Sequence, residues 1–153
     1  MRKYWRMRKL LFFLAIAFVG SNVSLRAQSA AALVDICRSS AGNDATYLKD
    51  FTVDLESAKA NEKAPQAKFS MVLSKNTRYR FSTCSSETSD GKGMIQLFDE
   101  NRLQGSSYNP STGKEFRMFD FNCTKTGVYH VFISMIDGKA GSAVCILSFM
   151  EKL

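Results

Sequence analysis

The stretch T126-G-V-Y-H-V-F-I-S-M-I136 decides the fold class. Tyr129, Val131, Ile133 and Met135 recur at every second residue and form a wholly apolar set. His130, the only histidine of the chain, alternates with them beside Val128, Phe132, Ser134 and Ile136. A period of two describes a β-strand with one face in a core, and it places the imidazole on the opposite, outward face. A histidine there is expected to be a partly exposed packing residue rather than the start of an active site.

The same period extends through most of the chain. In Y47-L-K-D-F-T-V-D-L55, Phe51, Val53 and Leu55 alternate with Asp50, Thr52 and Asp54. The runs A67-K-F-S-M-V-L73 and T77-R-Y-R-F-S-T-C84, separated by S74-K-N76, read as a hairpin with Phe69, Met71, Leu73, Tyr79 and Phe81 inward. M94-I-Q-L-F-D99 precedes a turn at D99-E-N-R102, and L103-Q-G-S-S-Y108 leads into the turn N109-P-S-T-G113. E115-F-R-M-F-D-F-N-C123 and S142-A-V-C-I-L-S-F-M150 complete the set, the latter reached through the Asp137-Gly138 turn signal. About eight short strands argue for an all-β fold, an antiparallel, jelly-roll-like β-sandwich. A30-A-A-L-V-D-I-C-R38 carries Leu33, Ile36 and Cys37 at helical spacing and predicts a short N-terminal helix, while E56–Q66 is polar and reads as an exposed connection.

The chain opens differently. M1-R-K-Y-W-R-M-R-K9 is cationic and L10-L-F-F-L-A-I-A-F-V19 is uninterrupted apolar, the parts of a signal peptide, with cleavage expected after Ala27. The apolar run is too short for a permanent membrane span, which takes about 20 residues. The expected organisation is a signal peptide at 1–27, a helix and linker at 28–46, and a β-sandwich at 47–153. The protein is expected to be exported, ending in the periplasm or outside the cell.

Removing residues 1–27 takes away six of the 21 Lys and Arg and none of the 14 Asp and Glu, leaving a net charge of +1. The basicity of the whole chain therefore belongs to its leader, and nucleic acid is not an expected partner. The remaining 126 residues suit one domain with its own core, supplied largely by nine Phe and four Tyr. All four cysteines, Cys37, Cys84, Cys123 and Cys145, lie past the leader, where an oxidising compartment permits disulfides. Cys84 with Cys123 is the pairing expected, each sitting where a strand gives way to a polar turn. The alternative is that they stay buried thiols. No two cysteines have the close spacing of a zinc knuckle.

The second half, M94-I-Q-L-F-D-E-N-R-L103 followed by F119-D-F-N-C-T-K-T-G-V-Y-H-V-F-I133, resembles the bacterial pre-peptidase C-terminal domains over roughly residues 67 to 150. That resemblance implies a calcium-tolerant jelly-roll sandwich that serves as an appendage to a protease. The chain departs from the family pattern at Gly93 and Met94, where an aspartate leads the strand, and at Arg102, where a glycine follows the turn. It also resembles a group of small, stand-alone exported bacterial proteins of undescribed function, in which T46-Y-L-K-D-F51 and K125-T-G-V-Y129 would be typical.

Candidate chemistry is sparse. A nucleophile needs a base and a group to orient it, and only His130 could be the base. Among the carboxylates, Asp99 and Asp137 sit at turns, Glu100 lies beside the first of them, and Asp120 alternates outward between Phe119 and Phe121. Glu87 and Asp90 share a glycine-flexible loop and are the candidate calcium ligands, oxygen donors of the kind that ion takes. Tyr108 and Asn109 are the candidate ligand-binding residues, an aromatic ring beside an Asn-Pro turn that could contact a sugar. No cofactor is expected. The expected function is a non-enzymatic binding or accessory module, its partner an envelope protein or a glycan. The alternatives are a glycan- or calcium-binding module, a small exported hydrolase, or a structural protein that self-associates through edge strands.

Overall fold

The computed structural model describes residues 24–153, so most of the expected signal peptide lies outside the described residues. Helix α1 spans Ser24–Ser40. Ten strands follow: β1 (Thr46–Leu55), β2 (Gln66–Leu73), β3 (Thr77–Ser85), β4 (Gly93–Asp99), β5 (Arg102–Ser106), β6 (Tyr108–Asn109), β7 (Lys114–Glu115), β8 (Met118–Cys123), β9 (Gly127–Met135) and β10 (Gly141–Lys152). Ala32–Leu153 form one compact unit. No helix among the described residues is long and apolar enough to cross a membrane.

Two antiparallel four-stranded sheets, in the orders β1-β10-β3-β8 and β2-β9-β4-β5, face each other as a jelly-roll sandwich, with β6 and β7 as a separate small hairpin. The alternation in β9 is as the sequence predicts. Tyr129, Val131, Ile133 and Met135 are buried and meet Phe51, Val53, Phe81, Cys145 and Leu147 of the opposite sheet.

One connection differs from expectation. β2 and β3 are not a hairpin: β2 pairs with β9 and β3 pairs with β10 and β8, so Ser74–Asn76 carries the chain from one sheet to the other. Asn76 turns there with φ 56°. A short polar turn between alternating runs fits either a hairpin or a corner, because turn chemistry does not specify which neighbour a strand chooses.

From Ala32 on, α1 lies on the outer face of the β1-β10-β3-β8 sheet, where Leu33 and Cys37, one helical turn apart, bury against Val144 and Ile146 with Val34 alongside. Ile36, expected on the same stripe, is 62% exposed. β10 is thus covered on both faces, by the sandwich core at Ala143, Cys145 and Leu147 and by the helix at Val144 and Ile146. This explains why A143-V-C-I-L147 is continuously apolar rather than alternating.

The expected Cys84–Cys123 disulfide is corrected to Cys37–Cys84, Cα atoms 5.6 Å apart, which fastens α1 to β3. Cys123 and Cys145 are free and buried. Cys123 stands opposite Thr77, at the far end of β3 from Cys84, a separation of about 23 Å over seven residues of strand. Its sulfur faces inward, toward the Lys125 carbonyl at 3.2 Å and the Tyr129 hydroxyl at 3.7 Å.

That corner gives the fold an alkaline limit. Burial, then the bond with Cys123, pushes the Tyr129 phenol up to about 12 from its ordinary 10.0, and its hydroxyl donates to the Lys125 carbonyl at 2.9 Å. Above pH 10 the unfolded chain loses this proton while the folded one keeps it, so stability falls as pH rises from about 10 to 12. Tyr129 is expected to account for about 2 kcal/mol of that loss, so that Tyr129→Phe loses clearly less than wild type when urea unfolding is measured across that range. An identical loss in both would remove Tyr129 as its source.

Candidate functional site

The sandwich is open at one end, and the opening follows from where β8 begins. β8 pairs with β3 only over Thr77–Ser82. The last tie across that edge is the Thr83 amide donating to the Arg117 carbonyl at 2.8 Å. Beyond it β3 runs on without β8, while the segment before β8 turns away so that the Phe116 amide donates to the Ser107 carbonyl at 2.8 Å. The groove between them has a volume of about 720 Å³ and lies beside the Cys37–Cys84 disulfide.

Its walls are rich in hydroxyls, most already holding backbone in place. The Gly93 amide donates to Ser85 Oγ at 2.6 Å, the Ile95 amide to Ser107 Oγ at 2.9 Å, and the Ser142 amide to Ser89 Oγ at 2.9 Å. Each of these serines acts as an acceptor, which leaves its own hydroxyl proton to give. Thr83 Oγ1 is buried with no hydrogen-bond partner. At the rim Lys92 bridges both oxygens of Glu115 at 3.3 Å, while Arg117 is exposed. The floor is closed because Gly93 lies against Ala143: a Cβ on Gly93 would sit 2.5 Å from that of Ala143.

The residues singled out from sequence fall in several places. Glu87 lines the groove and Asp90 lies on the same exposed loop. No group of three or more His, Cys, Asp or Glu able to hold a metal ion occurs among the described residues. Asn109 uses its side chain within its own turn, accepting from the Ser111 amide at 3.0 Å. Tyr108 pairs with Glu115 across the β6–β7 hairpin, and its backbone bonds Ser106 Oγ. Neither lines the groove. Asp120 receives Arg80 through two bonds, at 2.7 and 3.0 Å, and Arg80 also reaches Asp44 and the Ala41 carbonyl. The Asp120 bond chiefly raises the pKa of the guanidinium, and the cluster ties β3 and β8 to the segment after α1.

His130 points outward. It meets Ser70, its register partner on β2, with Ser70 Oγ and Nδ1 2.8 Å apart. A serine and a histidine in contact are two parts of a catalytic triad, but this pair is exposed on a sheet face, away from the groove. Phe98, the register partner of His130 on β4, meets Phe132 edge to face, centroids 5.4 Å apart, and Lys68 Nζ lies 5.5 Å over the Phe132 ring.

The fold and groove define a jelly-roll sandwich with an end opening lined by donors. No family model and no curated protein matches the chain. The groove itself was not visible in the sequence, since Thr83, Ser85, Ser107 and Arg117 come from three separate segments with no shared motif. The only local sign was the density of serine in S85-S-E-T-S89.

Proposed function

We propose that this is an exported, non-enzymatic binding module that takes an acceptor-rich ligand, such as the end of a glycan or a carboxylate, into the groove at the open end of its sandwich. The observation that carries the reading is the surplus of donors there. Thr83 Oγ1 is buried and unpartnered, and Ser85, Ser89 and Ser107 each accept a backbone amide while keeping a proton to donate. A ligand oxygen satisfies such protons, and leaving a buried hydroxyl unpaired costs about 1–3 kcal/mol. Arg117 supplies a fork of donors at the rim for a carboxylate or a pair of hydroxyls. Export is supported by the cationic and apolar N-terminal segments and by a disulfide that an oxidising compartment would preserve.

The test is a glycan array and a carboxylate panel read against the purified protein, with Thr83→Val and Arg117→Ala as comparisons. Thr83→Val keeps shape and removes the hydroxyl. Each variant is expected to weaken binding by roughly tenfold, about 1.4 kcal/mol, with folding intact. Turnover of esterase, glycosidase or protease substrates that disappears in His130→Ala would overturn the non-enzymatic reading.

Calcium is the second reading, favoured by Glu87 lying on the groove wall with Asp90 three residues on. On that reading the thermal midpoint rises with millimolar calcium and returns with chelator, and Glu87→Gln abolishes the rise. An unmoved midpoint removes it.

A further inference from the structure

The four sheet edges are not alike. β1 carries a register shift between Tyr47 and Lys49, and β4–β5 one between Leu97 and Phe98. β8 is six residues long and bears Asp120 and Asn122. Bulges, short length and charge are the usual means by which an edge is kept from pairing with another chain. β2 has neither a bulge nor a short length. It pairs with β9 without a shift over all eight residues from Gln66↔Ser134 to Leu73↔Gly127, and its only charge is Lys68.

Its other side is unpaired. Apart from the β9 ladder, no backbone hydrogen bond among the described residues reaches Gln66–Leu73. The core is also incomplete along this edge: Phe69 and Met71 point inward yet are only partly buried, whereas Val131 and Tyr129 beside them on β9 are buried. On the outer face Val72, 70% exposed, sits directly across from Val128, 51% exposed. Unpaired backbone, half-covered core residues and an exposed valine pair thus coincide on one strand.

We propose that a second copy of this chain pairs with it antiparallel along β2, joining the two β2-β9-β4-β5 sheets into one continuous sheet across a two-fold axis at Ser70. The strand fits itself. A seven-residue register over Ala67–Leu73, which keeps inward residues opposite inward ones and stops short of Pro65 and the Ser74–Asn76 corner, places Ser70 opposite Ser70, Phe69 opposite Met71, Ala67 opposite Leu73 and Lys68 opposite Val72. Inward apolar residues then meet inward apolar residues. Lys68 meets the exposed valine of the other copy, its stem covering that side chain, and not its own symmetry mate. An isologous pairing of this kind closes as a dimer and leaves the end groove of each copy free. It does not depend on what that groove binds.

The register makes a charge test possible. Val72→Lys places two lysines opposite each other at both symmetric positions, whereas Val72→Glu places a carboxylate opposite Lys68 twice. The purified protein and both variants are compared by sedimentation equilibrium, with thermal midpoints confirming that each folds. Wild type is expected to sediment at twice the chain mass. Val72→Lys is expected to weaken the dimer at least roughly tenfold, while Val72→Glu holds it as tightly as wild type or more so. Ser70→Cys is expected to give a covalent dimer on oxidation. A wild type that remains a monomer, equal weakening by lysine and glutamate, or a dimer in which Ser70→Cys fails to cross-link would each overturn the proposal. So would a wild-type monomer whose β2 edge is taken up instead by a strand of another protein.

Discussion

Replacing Cys37 and Cys84 together by serine is expected to lower the unfolding free energy by about 4 kcal/mol. The two cysteines are 47 residues apart, and closing a loop of that length removes roughly this much conformational freedom from the unfolded chain. The folded side of the balance matters as well. Cys37 is fully buried against Val144 and Ile146, so the crosslink also holds Leu33 over the outer face of β10. The measurement is urea unfolding of wild type and the double variant at neutral pH. A parallel count of thiols in denatured, unreduced protein should find two, and four after reduction. A loss below about 1 kcal/mol, or four thiols before reduction, would mean that the helix is not stapled to the sheet.

Phe81→Ala should cost about as much, by a different route. Phe81 is fully buried at the centre of β3 and stacks on Phe119 at 5.4 Å. Phe119 in turn fills the space over Gly105, where an added Cβ would come within 2.5 Å of its ring. Truncating Phe81 leaves a cavity that Phe119 cannot fill without leaving Gly105, so relaxation is limited. The expected loss is about 3–5 kcal/mol. Phe81→Leu, which keeps most of the volume, should cost about 1–2 kcal/mol. Equal effects from the two variants would show that cavity volume is not what governs this position.

Much of the fold was legible because its strands announce themselves locally. The alternations at Phe51–Leu55 and Tyr129–Met135 depend on neighbouring residues alone, and both appear as read. Pairing was less legible. S74-K-N76 has the composition of a hairpin turn and makes a corner between sheets, since the choice rests on strands far along the chain. The disulfide was missed for a related reason: Cys84 and Cys123 look alike as strand-end cysteines, but the sheet places them at opposite ends of β3. One sign of the true partner was present. A143-V-C-I-L147 is apolar at every position, more than a strand with one wet face requires, and what covers its second face is the helix bearing Cys37. The groove was hidden altogether, because it arises from the point at which β8 starts.

The position of β10 governs when the molecule can become whole. It follows β1 by some ninety residues in the sequence, yet it lies between β1 and β3, so β1 has no neighbour in its sheet until β10 has been made. Synthesis from the N-terminal end therefore leaves β1 and the helix waiting until Gly141–Lys152 has been made. Pairings over such sequence distances close slowly. A protein built this way cannot close its β1-β10-β3-β8 sheet before β10 is available.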